Sequence, residues 1–410
     1  MSRRTPGRDR GHAPGGHGPG GHGPGGHGLS VEQWALQRQV YLDNLKVLLI
    51  AAIIAIHAIL GYAATIDVWP YASVREVTLW PSAEAVLFVV VGPFAFFMIA
   101  LLFLVAGLLT RPSLERKGTG AYVRDRLVRL GVPFAVYVLL MAPALSYALE
   151  HPLGLSTGSY WAEFLGKPPH LEMGPLWFVG VLLIFSLAYA GWAAIRQPGG
   201  AGRRLHDVTA SRLLLLAAAV APATFLVRLA YPIGSESLLS GLNFWEWPAC
   251  IAAFALGIAG SRHGWLEAVP DRLYRQCRAA TLLAAAVMAA FLVLAGVRNQ
   301  IDNLLGGWHL PALLFPAIES ILIVFGSVWL LAVAQQRLNR KPRLGPTLSR
   351  SAYGAFMVQA PILFGLAVAL RPIDVPAELK AIVVAGAGVA ASFALAWLLI
   401  SRVPGVARIL

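Results

Sequence analysis

From residue 46 onward the chain repeats one pattern: an apolar run of about twenty residues, then a short polar segment rich in arginine. Runs of that length suit helices crossing a hydrocarbon layer of roughly 30 Å at about 1.5 Å per residue. They fall at 46–64, 86–109, 130–148, 175–195, 212–230, 243–260, 279–297, 311–335, 351–370 and 379–401. The pattern predicts an all-α fold, a polytopic membrane helix bundle of ten spans. The sixth run is the shortest and opens on Trp245 and Trp247. Residues 1–30 stand outside the pattern. They repeat Gly-Gly-His-Gly-Pro and carry His12, His17, His22 and His27 five apart. That composition cannot bury a core, so a disordered tail is expected, followed by a membrane domain over 40–403. A soft tail with no second shell around its histidines is a poor metal site, and no metal is expected. No apolar run follows the first basic residues, so no secretory signal peptide is expected either.

Composition strengthens this picture. Of 410 residues, 57% are hydrophobic and 13% charged, and mean hydropathy is +0.66. A soluble domain of this length has no use for so much apolar surface. The net charge of +13 would fit a nucleic-acid partner were it not for its distribution. With the N-terminus in the cytoplasm, 27 of the 33 basic residues fall on the cytoplasmic side. Arg75, Lys167, Arg228, Arg298, Arg371 and Lys380 remain on the other. That alternation predicts N-in, C-in topology and explains the charge without nucleic acid. The two cysteines, Cys250 in a span and Cys277 in a cytoplasmic loop, are not placed to form a disulfide.

Within this scaffold a few polar residues stand out. Lys46 and His57 are eleven residues apart, which is three helical turns with about 20° of drift, so they share a face. The same spacing separates them by about 16 Å, half a hydrocarbon core. A histidine at that depth is either hydrogen-bonded packing or a functional group. Asp43, one turn before Lys46, is placed to pair with it. Arg126 and Arg129, spaced i, i+3 before the third span, share a face at the inner edge, where guanidinium groups match phosphates. Glu319 is the one carboxylate placed deep within a span, at a depth similar to His57, and is expected to lie near it. The 149–174 segment is the longest outer loop. No Walker A motif, dinucleotide fingerprint, zinc-type Cys/His pairing or nucleophile elbow occurs.

Several of these features resemble the acyltransferase-3 family of integral membrane O-acyltransferases. Lys46 and His57 with ten residues between them, preceded by Leu42-Asp43, resemble its first helix. Arg126-Leu-Val-Arg129 resembles its RxxR motif, and Phe96-Phe97 with Val105-Ala106-Gly107 resembles its second helix. Gly174-Pro-Leu-Trp-Phe178 and Ser351-Ala-Tyr-Gly-Ala-Phe356 are similar to its fourth and a late helix. Where that late motif often continues to a histidine, this chain has Gln359. The resemblance implies transfer of an acyl group, most often acetyl from acetyl-CoA, to a hydroxyl of a carbohydrate or glycolipid. It places the protein in the lipid bilayer, expected to be a bacterial inner (plasma) membrane. His57 would be the general base or acyl-transfer centre, and Glu319, placed near it by depth alone, the second catalytic candidate. Lys46, Arg126 and Arg129 would hold the acyl-CoA phosphates. The competing reading is a proton-coupled transporter or flippase, for which ten spans with a buried His and Glu would also serve.

Overall fold

The computed structural model describes residues 31–65, 70–150, 172–196, 208–234 and 240–409. The histidine-rich tail, and most of the long outer loop, lie outside the described residues. Helices α1 (Val31–Leu60), α2 (Pro81–Val90), α3 (Gly92–Lys117) and α4 (Thr119–Ala148) come first. They are followed by α5 (Trp177–Ile195), α6 (Ala210–Ala230), α7 (Trp247–Arg262) and α8 (Asp271–Val297). The chain ends with α9 (Leu310–Arg337), α10 (Gly345–Leu370), α11 (Ala377–Arg402) and the short α12 (Val406–Ile409). No strand occurs among the described residues. Nine of these helices are long and apolar enough to cross a membrane, which makes this an integral membrane protein.

The sixth expected run is α7, only 16 residues long, or about 24 Å. Its connections nevertheless carry the chain from one face of the bundle to the other. After α7, the Trp265 carbonyl accepts from Gln335 near the end of α9 (2.6 Å), and the Leu266 carbonyl accepts from the Tyr41 hydroxyl of α1 (3.0 Å). Asn44 joins the same end by donating to the Leu338 and Arg340 carbonyls at 2.7 and 2.8 Å. Before α7, the segment following α6 bonds the one following α8, Ile233 N to Leu305 O at 2.9 Å. The starts of α1, α8 and α10 therefore share one face, called here the basic face for its arginines. The ends of α1, α6 and α8, and the start of α11, share the opposite, far face. The two chain ends meet the membrane on the basic side. A short helix suffices at α7 because it is embedded in protein. Gly107 of α3 and Gly257 of α7 bring the backbones so close that a Cβ at Gly257 would lie 2.1 Å from the Leu104 carbonyl.

Two expectations about ends change. The first hydrophobic run was expected to stay helical to residue 64, but α1 stops at Leu60. Gly61, the next residue, packs so closely on the returning chain that a Cβ there would come within 2.8 Å of Cβ of Tyr71. The chain turns away there and folds back over the helix end. Cys277, expected in a loop, is buried in α8, which begins earlier at Asp271; both cysteines are free. Three wide π-turns interrupt the regular helices, at Leu127–Gly131 and Tyr137–Met141 in α4 and at Leu322–Gly326 in α9.

Candidate functional site

Lys46 and His57 lie on one unbroken helix, so the spacing of about 16 Å expected from eleven residues holds. Lys46 pairs with Asp43 at 3.1 Å and is 39% exposed at the basic face. His57 is in the last turn of α1, half-buried, with its Nδ1 sealed from solvent and lacking a hydrogen-bond partner. Its depth can be measured on α10. Gln359 faces the imidazole, and α10 runs eleven residues further to Leu370, about 16 Å. With about 16 Å also on the Lys46 side, His57 sits near the middle of a ~30 Å layer.

The polar groups that act on the imidazole are the Gln359 side chain and the Ile53 carbonyl one turn below. Gln359 is fully buried, and its Nε2 donates to the Phe356 carbonyl at 3.1 Å. That bond fixes the orientation of the amide, so Oε1, an acceptor with no hydrogen-bond partner of its own, is left for His57. An acceptor on one side of an imidazole holds the N–H there and leaves the other nitrogen as the base. Above the imidazole lies Tyr71, its ring centroid 6.2 Å from that of His57. The segment carrying Tyr71 is braced on both flanks. Glu84 accepts from the Ala64 and Thr65 amides, at 3.0 and 2.8 Å, and Arg75 donates to the Ala63 carbonyl. Glu378 accepts from the Trp80 amide at 2.7 Å, and the buried Lys380 pairs with Glu76. Lys380, counted from sequence among the outer-side cations, is a buried fastener there.

The arginine motif divides. Arg129 lies 3.4 Å from Asp125 and is 56% exposed, and Asp125 also binds Lys117 at 2.9 Å. Arg126 stacks over the Tyr122 ring at 5.0 Å, and its buried Nε has no hydrogen-bond partner. Within the motif, then, Asp125 already engages one guanidinium while the other keeps donor capacity. Among the described residues, no hydrogen bond or ring contact joins Lys46 to Arg126 or Arg129.

The expected pairing of Glu319 with His57 is not what the fold makes. Glu319 is held bidentately by Arg228 of α6, Nη2 to Oε1 at 3.0 Å and Nη1 to Oε2 at 2.8 Å. Arg228 is 2% exposed and sits 5.5 Å from the Trp245 and Phe315 rings, with Glu246 close enough to act on both partners. The reason is azimuth. Residue counting along α9 gave Glu319 its depth, but the buried face of α9 that carries it packs on α6. Arg228, counted from sequence among the outer-side cations, is the buried partner of this carboxylate.

Sequence reasoning missed Gln359 as a partner of His57 and missed Tyr71 and Tyr137. The usable signal for Gln359 was a lone amide inside an apolar run. For the tyrosines there was none, since a Tyr in a membrane protein reads as an interface residue.

A polytopic helix bundle with a histidine at mid-depth, an amide orienting it and cations at one face is the framework of a membrane-embedded enzyme. The profile of the acyltransferase domain family matches residues 39–401, nearly all of the chain outside the tail. The chain belongs to that family, and it is a membrane acyltransferase. No curated protein and no solved structure matches it significantly.

Proposed function

We propose that the protein moves an acyl group, acetyl in the first instance, from acyl-CoA at the basic face to a hydroxyl of a carbohydrate or glycolipid reaching it from the far face. One observation carries this reading above all. His57 stands at mid-membrane with an unsatisfied nitrogen, in line with a cation about 16 Å away on the same helix. An extended pantetheine arm is of comparable length. The phosphates would lie at the cationic rim, where Arg126 has a donor without a partner while Lys46 and Arg129 each share a carboxylate, Asp43 and Asp125. The thioester would reach His57.

In the transfer, the acceptor hydroxyl oxygen attacks the thioester carbonyl carbon while His57 takes its proton. The carbon–sulfur bond then breaks, and the same proton passes to the departing thiolate. Acyl ester and free CoA result, and His57 returns to its neutral form. Gln359 acts by holding the imidazole, not by touching the reacting atoms. Glu319 has no part in the chemistry under this reading. Placing donor and acceptor on opposite sides of a mid-depth base lets the acyl group cross while CoA stays on its own side. A bacterial inner membrane, with CoA on the basic face, fits this arrangement and the charge bias.

The test is mass spectrometry of glycans and lipids from cells with and without the protein. A glycan or glycolipid that loses a single acyl mass on deletion, and regains it on complementation, supports the reading. Identical profiles across both fractions would overturn it.

A further inference from the structure

Two helices end beside His57 from the far side. Helix α1 stops one residue-turn above it, at Leu60. Helix α5 is preceded by a single 3-10 turn, Gly174–Leu176, that packs on α10. Its level follows from the Phe178 ring, which meets Phe356 of α10 at 6.2 Å. Gly174, four residues before Phe178, is therefore about 6 Å nearer the far face, level with Gln359 and His57. On both sides of the histidine, irregular backbone stands at mid-membrane depth. In a bilayer such backbone is tolerated only where protein buries it or where it lines a polar cavity.

The side chains at this level point to the second case. The Tyr71 and Tyr137 hydroxyls are both buried and both without a hydrogen-bond partner. They are close enough to act on each other, and Tyr137 is acted on in turn by Glu172. Glu172 sits two residues before the 3-10 turn and is exposed, although α10 extends about 16 Å beyond this level. Polar groups thus run from an accessible carboxylate through Tyr137 and Tyr71 to the imidazole. Buried phenol hydroxyls without partners are costly and call for water or a ligand hydroxyl.

We infer that Glu172, Tyr137 and Tyr71 line the acceptor subsite of the acyltransferase, a vestibule from the far face that binds a neutral polyol and presents one of its hydroxyls to His57. The inference rests on the acyl-transfer reading and gives it an acceptor class. Phenol hydroxyls donate to and accept from sugar hydroxyls, their rings cover sugar C–H faces, and a carboxylate at the mouth accepts from hydroxyls while repelling anions. A uronate or phosphorylated sugar would be disfavoured at Glu172.

The experiment uses the full chain in sealed, right-side-out membrane vesicles. Tyr137→Cys, Tyr71→Cys and Glu172→Cys are each treated from outside with a membrane-impermeant cationic thiosulfonate. Leu139→Cys, at a half-exposed position on the membrane helix α4, serves as control, and the unsubstituted protein gives the background of its buried cysteines. Labelling of Glu172→Cys and of at least one tyrosine position, well above Leu139→Cys, is expected. So is at least threefold slowing by methyl glucoside but not by glucuronate. No labelling at all three positions would overturn the vestibule. Labelling that glucuronate slows, or that neither sugar slows, would overturn the neutral-polyol assignment. Acylation of endogenous glycans by unsubstituted vesicles formed with acetyl-CoA enclosed in their lumen, on the basic face, is recorded in parallel. Its absence refutes the acyl-transfer reading, whereas missing labelling beside intact acylation refutes this inference alone.

Discussion

Replacing Glu319 separates a structural carboxylate from a catalytic one. Both charges of the Arg228–Glu319 pair are desolvated, at 2% and 5% side-chain exposure, and they meet through one hydrogen bond of 3.0 Å and one ion contact of 2.8 Å. Removing one partner leaves the other charge buried and uncompensated, at a cost of about 3–5 kcal/mol. Set against a total stability on the order of 5–15 kcal/mol, Glu319→Gln should unfold at a much lower temperature in detergent. Replacing both charges with apolar groups of similar volume is often neutral or stabilising, because neither ion then needs to be desolvated. Arg228→Met/Glu319→Met should accordingly recover most of the lost thermal stability. Since the pair faces neither His57 nor Gln359, the double variant should also recover acyl transfer to within about threefold of the native enzyme. Thermal unfolding and acyl transfer measured on the same preparations decide the matter. A double variant that is as stable as native but transfers ~100-fold more slowly would place Glu319 in the chemistry, since that is the usual scale for losing a general acid or base.

Three further outcomes follow from the geometry. Gln359→Leu removes the acceptor that orients His57 and should lower kcat about 2- to 12-fold, with donor KM unchanged, the rate equivalent of one hydrogen bond of ~0.5–1.5 kcal/mol. Gln359→Glu should restore the rate but move the acid limb of the pH–rate profile to higher pH, because a carboxylate favours the imidazolium; an unmoved limb would mean that position 359 does not act through His57. Arg126→Ala should weaken acetyl-CoA binding at least tenfold in a titration of purified protein, whereas Arg129→Ala, whose guanidinium Asp125 already engages, should weaken it less than threefold; equal losses would contradict the division of the motif. Gly257→Ala should lower thermal stability by several kcal/mol and reduce the yield of folded protein, because its Cβ would lie 2.1 Å from a backbone oxygen of α3 that cannot move aside; a native melting profile would contradict the close packing of α3 on α7.

Helix number and type were legible because a run of twenty apolar residues has few other destinations. Even α7, 16 residues long, declared itself as the weakest run. The ends were less legible. Hydropathy carried α1 four residues too far because Gly61 through Ala64 are apolar enough to continue it. Within the site, Lys46 and His57 could be placed together because eleven residues on one helix fix both distance and face. Gln359 could not be assigned to His57, being 302 positions away in sequence on a different helix. Glu319 shows the limit of the same counting: rise along a helix gives depth, but which neighbour a buried face meets is set by tertiary packing. Arg228 and Lys380 were counted on the correct side, but their burial against Glu319 and Glu76 was not legible for a related reason. A cation near a span end reads as a surface anchor unless its buried carboxylate partner is known.

The central claim is that acyl-CoA at the basic face is discharged at His57 onto a hydroxyl. It is tested most directly by supplying acetyl-CoA labelled in its acetyl group to membranes holding equal amounts of the native protein or of His57→Ala. Label is then followed into base-labile esters of the glycan and glycolipid fraction. The account predicts incorporation by the native protein and a fall of at least ~100-fold in His57→Ala, with the variant still inserted and folded. Equal incorporation by the two proteins would contradict it.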